Sequence, residues 1–333
     1  MDGSEVKCVR EAFGQPRLRR GHKDQQLDPL RPIGRRYILK LRGNCRLPVR
    51  RRTVQALRNT RLPRRLRTDG KPLPTSPSDL YGRIGTASAP VLLDARQHDA
   101  FVADDRLIPG AVHRAPADVE HWRLDLPAGR PVVAYCADAG TASRSVASAL
   151  RAAGIDATYL EGGISGWKNL ALPTRQRTGV VESKWVTREH PKIDRIACPW
   201  LIRRFINPLA QFIYVPPNEV LAVAEAKKAT PYDIKGAEFG HVGDRCSFDA
   251  IVRIFDIHDP ALDRLATIVR GADTSRPDLA PQCDGLLAIS YGLSANCPDD
   301  HEMLEHGMVI YDALYRWCRL QAAARTPAEK ITA

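Results

Sequence analysis

Pro131-Val-Val-Ala-Tyr-Cys136-Ala-Asp-Ala-Gly140-Thr141-Ala-Ser-Arg144 decides how the rest of this 333-residue chain is read. Val132 to Tyr135 is an apolar run of strand length, and it ends on a cysteine. Small and polar residues follow. A helical pattern of Val146, Ala149, Leu150 and Ala153 then starts near Thr141. A cysteine at the carboxyl end of a strand, facing a helix N-terminus, lies among unpaired backbone N–H groups that favour negative charge. Two readings follow. One is a nucleophilic cysteine in an anion-cradling loop. The other is a buried structural thiol, since free cysteine is commonly buried.

On the N-terminal side, Ser78-Asp79-Leu80-Tyr81 starts a helix, and Val91-Leu-Leu-Asp94-Ala95-Arg96 reads as a strand ending in a charged pair. A short helix is expected over residues 99–102 and another over 117–124. Beyond the helix at 141–153, Gly154 leads to a strand over residues 157–160, and Glu161-Gly-Gly-Ile-Ser-Gly-Trp167 closes the unit. Strands alternating with short helices predict an α/β fold, a parallel sheet with helices on both faces. In such sheets ligands bind beyond the carboxyl ends of the strands, where Cys136 falls.

The motifs Leu93-Asp94-Ala95-Arg96, Ile108-Pro109-Gly110-Ala111, the Cys136 loop and the run from Tyr159 to Trp167 occur in an order and spacing that resembles the rhodanese family, over about residues 77–175. The resemblance implies a rhodanese-like fold and a cysteine that carries sulfur as a persulfide, with Cys136 in that role. The loop from Cys136 to Thr141 has the length found in sulfurtransferases. Asp138, Ala139, Gly140 and Thr141 would face the substrate. Arg144 would either add positive charge there or turn to solvent. Asp94 and Arg96 would hold loop and sheet together. No cofactor is required for such chemistry. The expected partners are a small-molecule sulfur donor and a thiophilic acceptor, with a protein as a candidate acceptor. One departure stands out: the loop carries Asp138 and no basic residue, so a thiosulfate dianion would be repelled.

Residues 176–182 read as a polar linker, and a mainly helical α+β second domain is expected over residues 183–322. Strands are expected at Lys184–Thr187 and Gln211–Val215. A helix from Asp194 is expected to kink or break at Pro199, and further helices are expected over 218–229, 247–255, 260–271, 282–292 and 299–322. In the last of these, Met303, Leu304, Met308, Tyr311, Leu314, Tyr315 and Cys318 share one face. His190, Glu238 and His241 form a candidate Zn or Fe site, with Asp194 or Cys246 as further ligands. A rival reading is an oxyanion pocket built on Arg195, Arg203 or Arg204, because guanidinium groups grip oxyanions by paired N–H donors.

The run from Lys184 through His190, Asp194, Arg195, Cys198 and Trp200 resembles the C-terminal domain of the chromate-resistance protein B family. So do Glu238-Phe-Gly-His241, Val269-Arg-Gly-Ala-Asp273 and Tyr311-Asp-Ala-Leu-Tyr315. The resemblance implies a role in chromate resistance, by sensing chromate or by handling the stress it causes. Full members of that family carry a different N-terminal domain linked to transcription. A rhodanese unit stands in its place here, which argues against a DNA-binding repressor. The leading expectation is a sulfurtransferase coupled to a chromate-resistance domain in oxyanion and redox stress. The alternative is a non-enzymatic chromate or redox sensor acting through a partner or a promoter.

The net charge of +12 is unevenly spread. Residues 1–70 hold 20 Lys and Arg against 6 Asp and Glu, whereas residues 71–333 hold 30 against 32. Nucleic-acid binding is therefore expected only through the Arg/Pro-rich segment 1–75, which is too poor in apolar periodicity to bury a core and is expected to be disordered. Residues 323–333 form a second tail. The eight cysteines are scattered with no C-x-x-C pair, which fits reduced thiols in a cytoplasmic protein. No apolar run is long enough for a membrane span, and no secretory signal is expected.

Overall fold

Five parallel strands organise the first half, and their burial pattern explains the continuous apolar runs. The structure, a computed structural model, describes residues 71–138, 140–180 and 182–325. The basic segment expected to be disordered lies outside these residues up to position 70, as do Ala139 and the chain from residue 326. In chain order the first half runs β1 (Pro74–Thr75), α1 (Pro77–Arg83), β2 (Val91–Asp94), α2 (His98–Ala103), β3 (Arg106–Leu107), β4 (Ala111–His113), α3 (Val119–Trp122), β5 (Val132–Tyr135), α4 (Thr141–Ala152), β6 (Ala157–Leu160) and α5 (Gly163–Asn169). The sheet order is β1-β6-β5-β2-β4, all parallel, which places β5 at the centre.

Alternate residues of each strand face opposite cores. Val91, Leu93, Val132, Ala134 and Ala157 pack under α4 through Val146, Ala147 and Leu150. Leu92, Val133, Tyr135 and Leu160 pack with Leu80 of α1 and with Ile164 and Trp167 of α5. Burial on both faces is why these strands lack the polar alternation of a half-exposed sheet. Helix α1 begins where its cap allows: Ser76 Oγ accepts the N–H of Asp79 at 3.1 Å, and Pro77 takes the first helical position.

The second half runs β7 (Arg175–Gln176), β8 (Lys184–Arg188), α6 (Asp194–Leu201), β9 (Gln211–Val215), α7 (Val220–Lys227), β10 (Thr230–Pro231), α8 (Ser247–Ile254), α9 (Pro260–Asp273), α10 (Cys283–Asn296) and α11 (Asp300–Arg325). A parallel sheet of order β10-β8-β9 is flanked by the helices. Pro199 does not end its helix. The chain continues to Leu201 and then loosens into a π-helical turn over Ile202–Ile206. The expected face of α11 is buried through Met303, Leu304, Met308, Tyr311, Tyr315 and Cys318.

The stretch expected to be a linker is tied down. Strand β7 pairs antiparallel with β3. The Arg175 guanidinium is held by Glu182 at 2.9 and 3.0 Å and donates to the carbonyls of Ala111 and Ile206 at 3.1 Å. The sheet face that carries Tyr135 and Trp167 shares one continuous core with Trp200, Phe205, Phe255 and Tyr315. Among the described residues no helix is long and apolar enough to cross a membrane.

Candidate functional site

Cys136 stands at the carboxyl end of the central strand, directly before α4, and is 5% exposed. Its thiol donates to the carbonyl of Asp138 at 3.0 Å and lies 3.2 Å from Ser143 Oγ. Ser143 is buried in the first turn of α4, and the residue pattern alone did not single it out. The loop is locked from the other side by α5. Ile164 N–H donates to Cys136 O at 3.0 Å, and Ser165 N–H and Oγ both donate to Ala137 O, at 2.9 and 2.7 Å. That approach requires Gly163, which has φ +56°, because a Cβ there would overlap the carbonyl oxygens of Cys136 and Asp138.

The other expected loop residues take distinct places. Gly140 is the N-cap of α4, and Thr141 opens the helix with its side chain exposed. The Asp138 carboxylate lies over Gly140: a Cβ built on that glycine would come 2.8 Å from Asp138 Oδ1 and 3.5 Å from Cys136 Sγ. Negative charge therefore sits at the mouth of the cysteine. Arg144 does not offset it; its guanidinium lies over the Tyr159 ring, 4.9 Å from the centroid. Ala139 lies outside the described residues.

Asp94 and Arg96 are buried together at the carboxyl end of β2, beside β5. The guanidinium donates to Asp94 at 2.6 to 3.0 Å and to the carbonyls of Asp104 and Arg106 at 3.1 and 3.0 Å. With its donors so committed, Arg96 anchors the chain between β2 and β3 and offers nothing to a substrate.

In the second half the structure separates the proposed ligands. His190 is 75% exposed, with its N–H directed to Asp300 at 3.1 Å, and Glu238 is exposed. Neither joins His241, so the set His190, Glu238 and His241 is corrected. The cause is topological: His190 follows β8, while the loop carrying His241 folds back over the N-terminus of α6. What gathers around His241 Nε2 is Asp273 at 3.2 Å, Asp233 at 3.3 Å and Asp194 at 3.6 Å. Cys246 Sγ lies within 4.8 Å of the ligand atoms of Asp194 and Asp273. Asp233 was not foreseen, and Asp273 had appeared only inside a family motif.

Two of the carboxylates are anchored on their far side. Asp194 caps α8, accepting Ser247 N–H at 2.7 Å and Phe248 N–H at 3.0 Å. Asp233 Oδ2 meets Arg188 at 2.8 Å and Arg195 at 3.3 Å. Hydrogen bonds to Asp194 and Asp233 push His241 up to about 10, so it is cationic. Burial, and then the charges of Asp194 and Asp233, push Asp273 up to about 7. Burial and the Asp194 charge push the Cys198 and Cys246 thiols up, which keeps both from acting as thiolate nucleophiles.

The arginines proposed for an oxyanion pocket are dispersed. Arg195 borders the acidic group. Arg203 pairs with Glu305 at 2.6 Å, and Arg204 grips Asp312 at 2.8 and 2.9 Å. A cleft of about 700 Å³ opens on the acidic group, lined by Arg188, Asn218, Leu221, Asp233, Lys235 and His241 among others.

Residues 76–170 match the family model of the rhodanese-like domain, and residues 185–318 match that of the ChrB C-terminal domain. The protein ChrB of Cupriavidus metallidurans is 33% identical over 150 residues, a span covering 43% of this chain and 43% of that protein, so the match takes in less than half of the relative's length. Among solved structures, a rhodanese-related protein from Thermoplasma volcanium is 20% identical, with 31% of this chain and 96% of that chain covered at a TM-score of 0.27. A full-length protein from Lactobacillus plantarum is 27% identical, with 31% and 88% covered at a TM-score of 0.29. The chain carries a rhodanese-like domain followed by a ChrB C-terminal domain.

Proposed function

We propose that the chain is a sulfurtransferase that carries sulfur as a Cys136 persulfide and serves oxyanion and redox stress in a chromate-resistance setting. The observation that carries this reading is the placement of Cys136: the central parallel strand ends on it, and the twelve-residue helix α4 starts directly beyond. The Sγ proton leaves first, to solvent. The thiolate then attacks the outer sulfur of a donor such as thiosulfate. The donor's S–S bond breaks, sulfite departs with the electron pair, and a new S–S bond joins Cys136 to the transferred sulfur. A thiophilic acceptor takes that outer sulfur and regenerates the thiolate. The N-terminus of α4 would stabilise the anionic persulfide, and Ser143 Oγ, at 3.2 Å, is placed to hydrogen-bond it.

The Asp138 carboxylate at the mouth favours donors less negative at the transferred sulfur than thiosulfate, such as the protonated form of a low-molecular-weight persulfide. It equally suits a second reading, in which Cys136 reports redox state to a partner without turnover. The deciding experiment is the intact mass of the full chain after exposure to thiosulfate or to a glutathione persulfide, with Cys136→Ser as control. Gain of one sulfur atom that requires Cys136, followed by its loss to cyanide as thiocyanate, is expected. A wild-type chain that gains no sulfur from either donor while its thiol remains alkylatable would overturn the carrier reading and leave the sensor.

A further inference from the structure

The group around His241 lies away from the sulfur chemistry, and its spacing invites a ligand of its own. One imidazole nitrogen has three carboxylate oxygens around it, at 3.2, 3.3 and 3.6 Å. The one N–H on this nitrogen cannot be aimed well at all three oxygens at once, so the group offers more acceptor atoms than the imidazole satisfies. Ligand atoms around a first-row divalent metal, bonded at about 2.1 Å, are spaced about 3.0 Å apart in an octahedron and about 3.4 Å in a tetrahedron. The observed separations fall on that scale, and the ligand atoms of Asp194, Asp233 and His241 all lie within 4.8 Å of one another.

Two further observations point the same way. The group lies beyond the carboxyl ends of β8 and β10, between the N-terminus of α6 and the cleft bordered by Leu221 of α7, where parallel sheets bind ligands. Two of the carboxylates are oriented from behind: Ser247 and Phe248 N–H groups hold Asp194, and Arg188 and Arg195 take Oδ2 of Asp233, while its Oδ1 accepts from Ser247 Oγ at 3.2 Å and faces His241. Such outer contacts are what fix metal-ligating carboxylates.

We propose that Asp194, Asp233 and His241, with Asp273 beside His241, bind one divalent first-row transition ion, reached from the cleft. His241 gives the Nε2 lone pair and releases its proton to solvent. The carboxylates supply hard oxygen donors. Cys246 borders the site on its buried side.

The test uses the full chain with Co²⁺ alone, followed by equilibrium dialysis and by visible absorption, which reports the ligand set without any activity. Uptake of one Co²⁺ per chain, displaced by Zn²⁺, is expected. Asp273→Asn and His241→Gln should each weaken uptake at least tenfold. His190→Gln, Glu238→Gln and Cys136→Ser should leave it unchanged, which separates this site from the sulfur carrier. Asp273→Asn is nearly isosteric and His241 is 43% exposed, so both variants should keep the wild-type unfolding midpoint. A wild-type chain that takes up no Co²⁺, or uptake that neither variant weakens, overturns the proposal.

Discussion

At the scale of the residue, the chemistry of Cys136 is set by its two polar neighbours, Ser143 Oγ at 3.2 Å and the Asp138 carboxylate at the mouth. A carboxylate near an incoming dianion costs on the order of 1–2 kcal/mol at the screening expected near a surface. Asp138→Asn should therefore raise the rate of thiosulfate loading about tenfold and change loading by a neutral persulfide little. Time-resolved intact mass measures both, and equal gains with the two donors would remove the electrostatic account. Ser143→Ala should slow loading by every donor, because it removes the hydroxyl beside the thiol. Cys136 and Gly140 could be assigned from the strand-and-helix pattern. The reach of Ser143 could not, because it depends on how the first turn of α4 is rotated against the end of β5.

At the scale of the element, two devices hold the loop. The buried Arg96–Asp94 pair, 1% and 0% exposed, fixes the end of β2 beside β5. Removing one partner strands a buried charge, so Arg96→Leu should lower stability by about 3–5 kcal/mol, read as a shift of the urea unfolding midpoint. Asp104 belongs to the same knot. Burial works against its charged form, but the hydrogen bonds of Lys168 and Arg106 outweigh it and hold the carboxyl below its ordinary range. A lowered carboxyl stabilises the fold above its unfolded value and loses that contribution as pH falls through the folded one. Acid unfolding of Asp104→Asn should thus show a weaker dependence on pH below about 4. Gly163 is the second device. Gly163→Ala should displace the Cys136 loop, lower the unfolding midpoint and speed alkylation of Cys136 together; a variant with wild-type values of both would separate α5 from the loop.

At the scale of the whole molecule, the rhodanese-like sheet and the ChrB C-terminal domain share a core. Gly85, with φ +75°, packs so closely that an added Cβ would overlap the Tyr315 ring of α11, and Gly110 N–H donates to Phe205 O at 2.6 Å. Arg319 donates to Tyr81 O at 2.9 Å across the same junction. Two separate folding units would melt in two steps, whereas a common core couples them. Urea unfolding of the full chain should be one transition, with tryptophan fluorescence and far-ultraviolet dichroism coincident. A fragment ending at residue 175 should bind an apolar dye, because Leu80, Ile84, Tyr135 and Trp167 lose their cover.

The sequence by itself determined the alternation of strands and helices, the position of Cys136 at a strand end, and most helix limits of the second half, including the buried face of α11. These follow from local periodicity and capping, which neighbouring residues carry among themselves. The tertiary structure alone decided the rest. It tied Glu182 of the expected polar linker to the buried Arg175, laid Arg144 on Tyr159, and replaced His190 and Glu238 with Asp233 and Asp273 beside His241. The contacts of His241 with Asp194 and Asp273 join residues dozens of positions apart, and the other two depend on how neighbouring elements pack. Strand order and loop packing set such contacts, and no local pattern encodes them.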